Sequence, residues 1–238
     1  MLHLRVSILQ YTKNLDEGDR MKFDLHLHTA RHSPDATTDP YELVQAAIKV
    51  GLDGIVITEH DYLWTDSELE ELRAAAPGLV ILAGVEVTGK GGDVLCYGIT
   101  NPFALPRGIE WRALTREVHQ QGGVCIAAHP YRWGQPFEKI LHEQAAEFDG
   151  IEVMSKNMDD ELRRQAQELL RKYPHFAQLG NSDSHEPETV GYCYTEFAYK
   201  IRTIHDLVAA IQQRQGVACQ NPAMMGRKSY SWITKLLG

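Results

Sequence analysis

No apolar run in this sequence approaches the length that crosses a bilayer as a helix. Its first residues also lack the hydrophobic region of a signal peptide, so a cytoplasmic protein without membrane contact is expected. Cysteine is scarce: Cys96, Cys125, Cys193 and Cys219 form no C-x-x-C pair. That argues against a zinc ribbon or a disulfide frame. Cys96, Cys125 and Cys193 fall in apolar, strand-like runs and read as reduced core residues. Positive charge is in deficit, with 24 Lys and Arg against 32 Asp and Glu and a formal net charge of −8. Such a balance disfavours a protein that coats nucleic acid. Internal repeats, low-complexity tracts and linkers are missing too, so nothing marks a boundary between large domains.

The 238 residues are 43% hydrophobic and 24% charged, ordinary material for one sizeable core. One domain from Met21 to Gly238 is expected, with a tail from about residue 216. Residues 1–20 are weakly strand-like and then highly charged, and read as a loose extension before a start at Met21. In the tail, Trp232, Ile233, Leu236 and Leu237 suggest a helix that packs back on the body.

Histidine is plentiful, with eleven residues. The stretch Phe23-Asp24-Leu25-His26-Leu27-His28-Thr29 reads as a strand, and strict alternation would put Asp24, His26 and His28 on one face. Three polar groups on such a face are costly unless something binds them. A helix follows, with Asp39 as N-cap, Pro40 at its first position and Glu42 placed for a capping box. The run Ile55-Val56-Ile57 is the next strand and ends in Thr58-Glu59-His60-Asp61. Asp66 is the expected cap of the next helix. Strands over Leu79 to Val87, Val94 to Ile99, Val124 to Ala128, Gly150 to Met154, Phe176 to Leu179 and Cys193 to Phe197 follow. Helices are expected at about 110–121, 137–146, 158–172 and 204–213.

The metal-competent side chains sit at strand ends: His26 and His28, then His60, Glu86, His129, and finally Asp183 and His185. In a barrel of parallel strands those ends converge on one face, whereas an open sheet would spread them along an edge. A β/α barrel is therefore expected. Imidazole and carboxylate without thiolate suit Zn, Mn or Fe at a catalytic site. The candidates exceed what one ion needs, and the Glu86 carboxylate could bridge two. Ions so placed would acidify a bound water and neutralise phosphoryl oxygens, which points to hydrolysis of a phosphate ester.

Five motifs, F-D-L-H-L-H-T at 23–29, I-T-E-H-D at 57–61, G-V-E-V at 84–87, A-H-P at 128–130 and G-N-S-D-S-H at 180–185, resemble in order and spacing those of the PHP (polymerase and histidinol phosphatase) superfamily. The resemblance implies a distorted seven-stranded, TIM-like β/α barrel with two or three divalent ions and phosphoesterase activity. It implies one ion on His26, His28, Glu86 and Asp183, and a second on Glu86 and His129. The third would lie on His60 and His185 with a ligand from the loop after His28, where Asp35 is preferred and His32 is the alternative. The catalytic group would be a metal-bound water near His60, Asp183 and His185. Whether Glu152 or Asn157 completes the second site stays open. Asp24 and Asp61 are expected behind the histidines, orienting them. Arg132, and less so Arg31 and Lys156, are the candidates to meet a phosphate.

The expected function is hydrolysis of a small phosphomonoester, with nucleic acid an unfavoured partner and the oligomeric state unread. The alternatives are an exonuclease-type phosphodiesterase, a catalytically weak metal-binding regulatory module, or an amidohydrolase-like C–N hydrolase. An obvious metal-bridging lysine after a middle strand is missing, which counts against the last.

Overall fold

A computed structural model describes residues 20–224. The proposed extension and the proposed tail helix lie outside this range, apart from Arg20 and Met224. The strands are β1 (Met21–Leu27), β2 (Gly54–Ile57), β3 (Val80–Gly89), β4 (Gly92–Tyr97), β5 (Val124–Ala127), β6 (Gly150–Met154), β7 (Ala177–Gly180), β8 (Cys193–Phe197) and β9 (Gly216–Gln220). The helices are α1 (Pro40–Lys49), α2 (Asp66–Ala75), α3 (Trp111–Gln120), α4 (Phe137–Gln144), α5 (Asp160–Lys172) and α6 (Ile204–Gln212).

The strands form one sheet in the order β7-β6-β5-β4-β3-β2-β1-β8-β9. Its ends curl together: a Cβ on Gly180 of β7 would meet the Ala218 Cα of β9 at 3.1 Å. The fold is an α/β barrel, nearly closed, as expected, but with nine strands rather than seven. The β3–β4 hairpin supplies an antiparallel pair, and β4 also runs antiparallel to β5. Gly216–Gln220, assigned to the tail, pairs antiparallel with β8, so the sheet continues past residue 216.

Three buried clusters make up the core. The inner one gathers Phe23, Leu25, Val56, Leu82, Leu95, Tyr97, Ile126 and Leu179 from strands all round the sheet, with Leu207, Val208 and Ile211 of α6. Side chains from so many strands meet only inside the curl, and α6 closes one end of it. Outside, α1 and α2 cover β1, β2 and β3, while α3, α4 and α5 cover β3 to β6. Cys96, Cys125 and Cys193 are buried free thiols, as expected.

Two local expectations change. The cap of α2 is Thr65, not Asp66. The Thr65 hydroxyl accepts the Glu68 N–H while the Glu68 carboxylate returns to the Thr65 N–H. At α1, Asp39 does cap, but onto Tyr41, and Glu42 makes no return bond.

The second change concerns β1. Its pairing with β2 slips between Asp24 and Leu27. Phe23 and Leu25 point into the inner cluster, yet Leu27 packs outside with α1 and α2. This irregularity breaks strict alternation and turns His26 and His28 into the mouth of the barrel.

Candidate metal centre

The expected convergence is present. His26 and His28 at the end of β1, Glu86 in β3, His129 after β5 and Asp183 after β7 are all buried. His60 after β2 and His185 after β7 sit at the rim, with side chains 26% and 24% exposed. Backbone pairing ties these ends together. Glu86 N–H donates to Glu59 O at 3.1 Å, Asp61 N–H to Glu86 O at 2.8 Å, and His28 N–H to Ser184 O at 2.9 Å.

Glu86 is the hub. Its Oε1 lies 3.2 Å from His26 Nε2 and 3.3 Å from His129 Nε2. Its Oε2 lies 2.9 Å from His60 Nδ1 and 3.3 Å from His28 Nε2. Asp183 Oδ1 completes the ring, 3.4 Å from His26 Nε2 and 3.6 Å from His28 Nε2. Three sets of ligand atoms lie close enough for an ion: His26, His28 and Asp183; His26, Glu86 and His129; and His28, His60 and His185.

Several of these atoms fit a metal better than they fit one another. His26 Nε2, His28 Nε2, Glu86 Oε2 and His129 Nδ1 are buried and make no aligned hydrogen bond among the described residues. Buried polar atoms in that condition are costly unless something else satisfies them. The all-N/O donor set suits a divalent cation of the Zn, Mn or Fe kind.

The electrostatics follow from the packing. Burial opposes the charge on Glu86 and Asp183, yet the surrounding imidazoles, His26 foremost, hold both carboxyls well below their usual range. Burial depresses His28 to about 4, so its ring is neutral at physiological pH. Burial also works against charge on His60, but Asp35 and Glu86 raise it to about 10. His26, His129 and His185 are raised as well, each against burial, by their carboxylate neighbours.

For the loop ligand, the structure brings Asp35 to the site and turns His32 away. Asp35 Oδ2 is 3.2 Å from His60 Nε2 and 3.4 Å from His185 Nε2. His32 instead bonds Glu68 at 2.7 Å and stacks on Tyr62. Arg132 reaches the site, with Nη1 3.0 Å from Asp183 Oδ2. Arg31 does not: it lies over the Trp64 ring and faces Glu71. Lys156 follows β6, half-buried, in the loop that carries Asn157.

Neither expected orienting aspartate touches an imidazole. Asp24 accepts the backbone N–H groups of Ser182 and Gly191, both at 2.9 Å, and so fixes the loop that bears Asp183. Asp61 accepts from Thr88 N–H and pairs with Arg107.

The orienting acid is Glu152. Its Oε1 is 2.9 Å from His26 Nδ1 and accepts from Asn181, and its Oε2 accepts the His129 N–H at 2.7 Å. For His28 the partner is the Ser33 hydroxyl, 3.2 Å from Nδ1, which donates to Glu59. Asn157 donates to Asp183 Oδ2 at 2.7 Å and to its carbonyl. Glu59, within I-T-E-H-D, and Ser33, in the loop after His28, were legible as motif neighbours, but no spacing rule assigns them.

A fourth cluster, His119, Cys125 and Asp149, lies apart from the site at the start of β5 and β6. Asp149 is satisfied there by the Cys125 N–H and the His119 ring, which pins α3 to the sheet. A groove of about 1040 Å³ runs between α2, β3 and Arg202–Ile204, and of the candidate residues only Asp61 borders it.

Comparison with known proteins bears on the fold. The model of the PHP-associated family matches residues 161–215. The uncharacterized protein MJ1587 of Methanocaldococcus jannaschii is 27% identical over 146 residues, covering 57% of this chain and 82% of that one. Among solved structures, the chain resembles a two-domain protein from Bacteroides vulgatus described as containing a predicted PHP-like metal-dependent phosphoesterase. The TM-score is 0.67 at 22% identity, over 85% of this chain and 65% of that one. This chain therefore spans just under two thirds of that relative. It also resembles the lesion-specific endonuclease PfuEndoQ of Pyrococcus furiosus, with TM-score 0.62 and 16% identity over 82% of this chain and 56% of that one. The family-model match and the Bacteroides vulgatus structure are thus PHP-related by description, and the five motifs resemble the same superfamily.

Two outcomes follow for metal binding. Glu152→Gln removes the acceptor that orients His26 and weakens binding of Mn or Zn about 10–100-fold by titration calorimetry. His26, His60, His129 and His185 have raised proton affinities, so an ion must displace protons from them. Binding therefore tightens as pH rises from 6 to 8 and releases protons, seen as a dependence of the calorimetric heat on buffer ionisation enthalpy.

Proposed function

We propose that this PHP-like barrel is a metal-dependent phosphoesterase acting on a small phosphomonoester. The observation that carries the reading is the Glu86 carboxylate, whose two oxygens face two separate pairs of imidazoles with Arg132 alongside. His26, His28, Glu86 and Asp183 would hold one ion, Glu86 and His129 a second, and His60, His185 and Asp35 a third. Bound ions would supply Lewis acidity at neutral pH, lowering the pKa of water and neutralising phosphoryl oxygens.

The chain's own residues do the rest. Arg132 offers guanidinium N–H donors to a phosphate oxygen, a charge-assisted contact that also fixes orientation. Asn157 and Arg132 both hold Asp183 Oδ2, which leaves Oδ1 aimed at the histidines. Glu152 and the Ser33–Glu59 pair lock the rings of His26 and His28, so their Nε2 atoms need no reorganisation when ligand arrives. His60, His185 and Asp35 form the solvent side of the site, where substrate would enter.

Phosphodiester cleavage is the second reading, favoured by the fold likeness to an endonuclease. The net charge of −8 weighs against long polyanionic substrates. Protein reconstituted with Mn or Zn should release phosphate from p-nitrophenyl phosphate, and both EDTA and His28→Ala should abolish it. Cleavage of single-stranded DNA without phosphatase activity would favour the second reading. Activity that survives both treatments would refute the metal mechanism.

A further inference from the structure

The outer flank of the barrel has a gap between two of its helices. From α2 to α3 the chain forms only the β3–β4 hairpin and one short 3-10 turn, Pro102–Ala104. The groove of about 1040 Å³ lies there, with α2 on one side and residues 99–103 on the other. Its floor is apolar, with Leu69, Leu79, Ile81 and Ile99 among its lining. On its rim stands Phe103, 93% exposed, more than any other large apolar side chain among the described residues. The segment that carries Phe103 is tied down. Thr100 N–H and Asn101 N–H both donate to Gln121 Oε1, at 2.9 and 2.8 Å. Leu105 N–H closes the turn onto Pro102 O at 2.9 Å, and Gly108 N–H reaches Thr88 O of β3 at 2.7 Å. Hydrogen-bonded backbone on both sides therefore holds Phe103 out into water.

A single exposed apolar side chain needs no explanation, but one standing beside an apolar hollow marks a contact surface. The charges around the hollow select its occupant. Asp61 and Asp66 follow β2 and border the groove at the end next to the barrel mouth. Arg202, ahead of the α6 that closes the far end of the barrel, borders the other, where Arg73 in the last turn of α2 also lies. Asp66 and Arg202 are exposed, and neither side chain makes an ion pair among the described residues. The surface thus sets a knob beside a hollow and an acidic end against a basic end. Rotated by half a turn about an axis perpendicular to the groove, it meets a copy of itself with opposite charges facing.

We propose that this flank is the interface of a two-fold symmetric dimer of the chain. Phe103 of each copy enters the groove of the other, and Arg202 of each faces Asp66 of the partner subunit. Withdrawing an aromatic side chain from water into an apolar hollow supplies the driving force, and the paired charges fix the register. None of the candidate metal ligands other than the neighbourhood of Asp61 touches the groove, so the interface is separate from the metal centre and does not depend on the reaction assigned to it.

Analytical ultracentrifugation of the full chain tests this. Wild type should sediment as a dimer in the micromolar range. Phe103→Glu should weaken association about thirtyfold or more, the scale of a central aromatic contact. Phe103→Ser should weaken it too, which separates loss of the apolar contact from the effect of an added charge. Arg202→Glu and Asp66→Arg should each weaken association about tenfold, because like charges then meet across the axis. The double variant R202E/D66R should recover wild-type association, since both reversed pairs attract again; loss of fold could not produce that recovery. A wild type that stays monomeric throughout the micromolar range would overturn the proposal and leave the groove to another occupant. A dimer indifferent to both Phe103 variants would overturn it as well, by placing the interface elsewhere. Charge reversals that weaken the dimer singly but do not compensate together would overturn the two-fold pairing of Arg202 with Asp66.

Discussion

The Glu86 carboxylate is the constraint on which the rest of the site depends. It is buried at the barrel mouth with imidazoles on both of its oxygens, and Asp183 stands on the far side of two of them. Taking such a group out of water costs on the order of several kcal/mol per ion unless close partners compensate. The imidazoles of His26, His28, His60 and His129 provide that compensation. β1 brings two of them and β2 and β5 one each, while the loop after β7 adds His185 and a second carboxylate, Asp183, that shares the His26–His28 pair. The barrel matters because it brings the ends of β1, β2, β5 and β7 to one face with the Glu86 carboxylate of β3.

Around that centre the chain builds buried, hydrogen-bonded supports. Glu152 ties His26, the His129 backbone and Asn181 into one knot, and Asp24 anchors the loop that carries Asp183. His129 and Asp183 adopt positive φ, with the His129 N–H held by Glu152 and the Asp183 carbonyl by Asn157. Non-glycine residues in that region mark places where the surroundings outweigh local preference, and they cluster at functional sites. The strain here falls on two residues whose side chains meet Glu86 and the His26–His28 pair.

The strand-end histidines, Glu86 and Asp183 were legible in the sequence because strand order and side-chain chemistry are both written locally. So was the preference for Asp35 over His32, although the deciding fact is tertiary: Glu68 and Tyr62 on the α2 side claim His32. Proximity in sequence points to Asp24 and Asp61 as the orienting acids. Fold geometry assigns that role to Glu152, which is 126 residues from His26. Period-two alternation also failed at β1, because the slip against β2 depends on a partner strand that no single-strand pattern contains. The cap of α2 is Thr65 rather than its acidic neighbour Asp66, because Glu68 completes the capping box with it. The pairing of Gly216–Gln220 with β8 was hidden for the same reason as the slip: pairing is a property of two segments, not one.

The central claim is that Glu86 is shared between metal ions, and anomalous scattering from crystals grown with Mn tests it most directly. At least two peaks are expected, one beside each Glu86 oxygen at coordination distance, with His26 and His28 among the ligands of the first. A map with no peak at Glu86, or with a single ion held away from it by other residues, would show that Glu86 is not shared between metal ions.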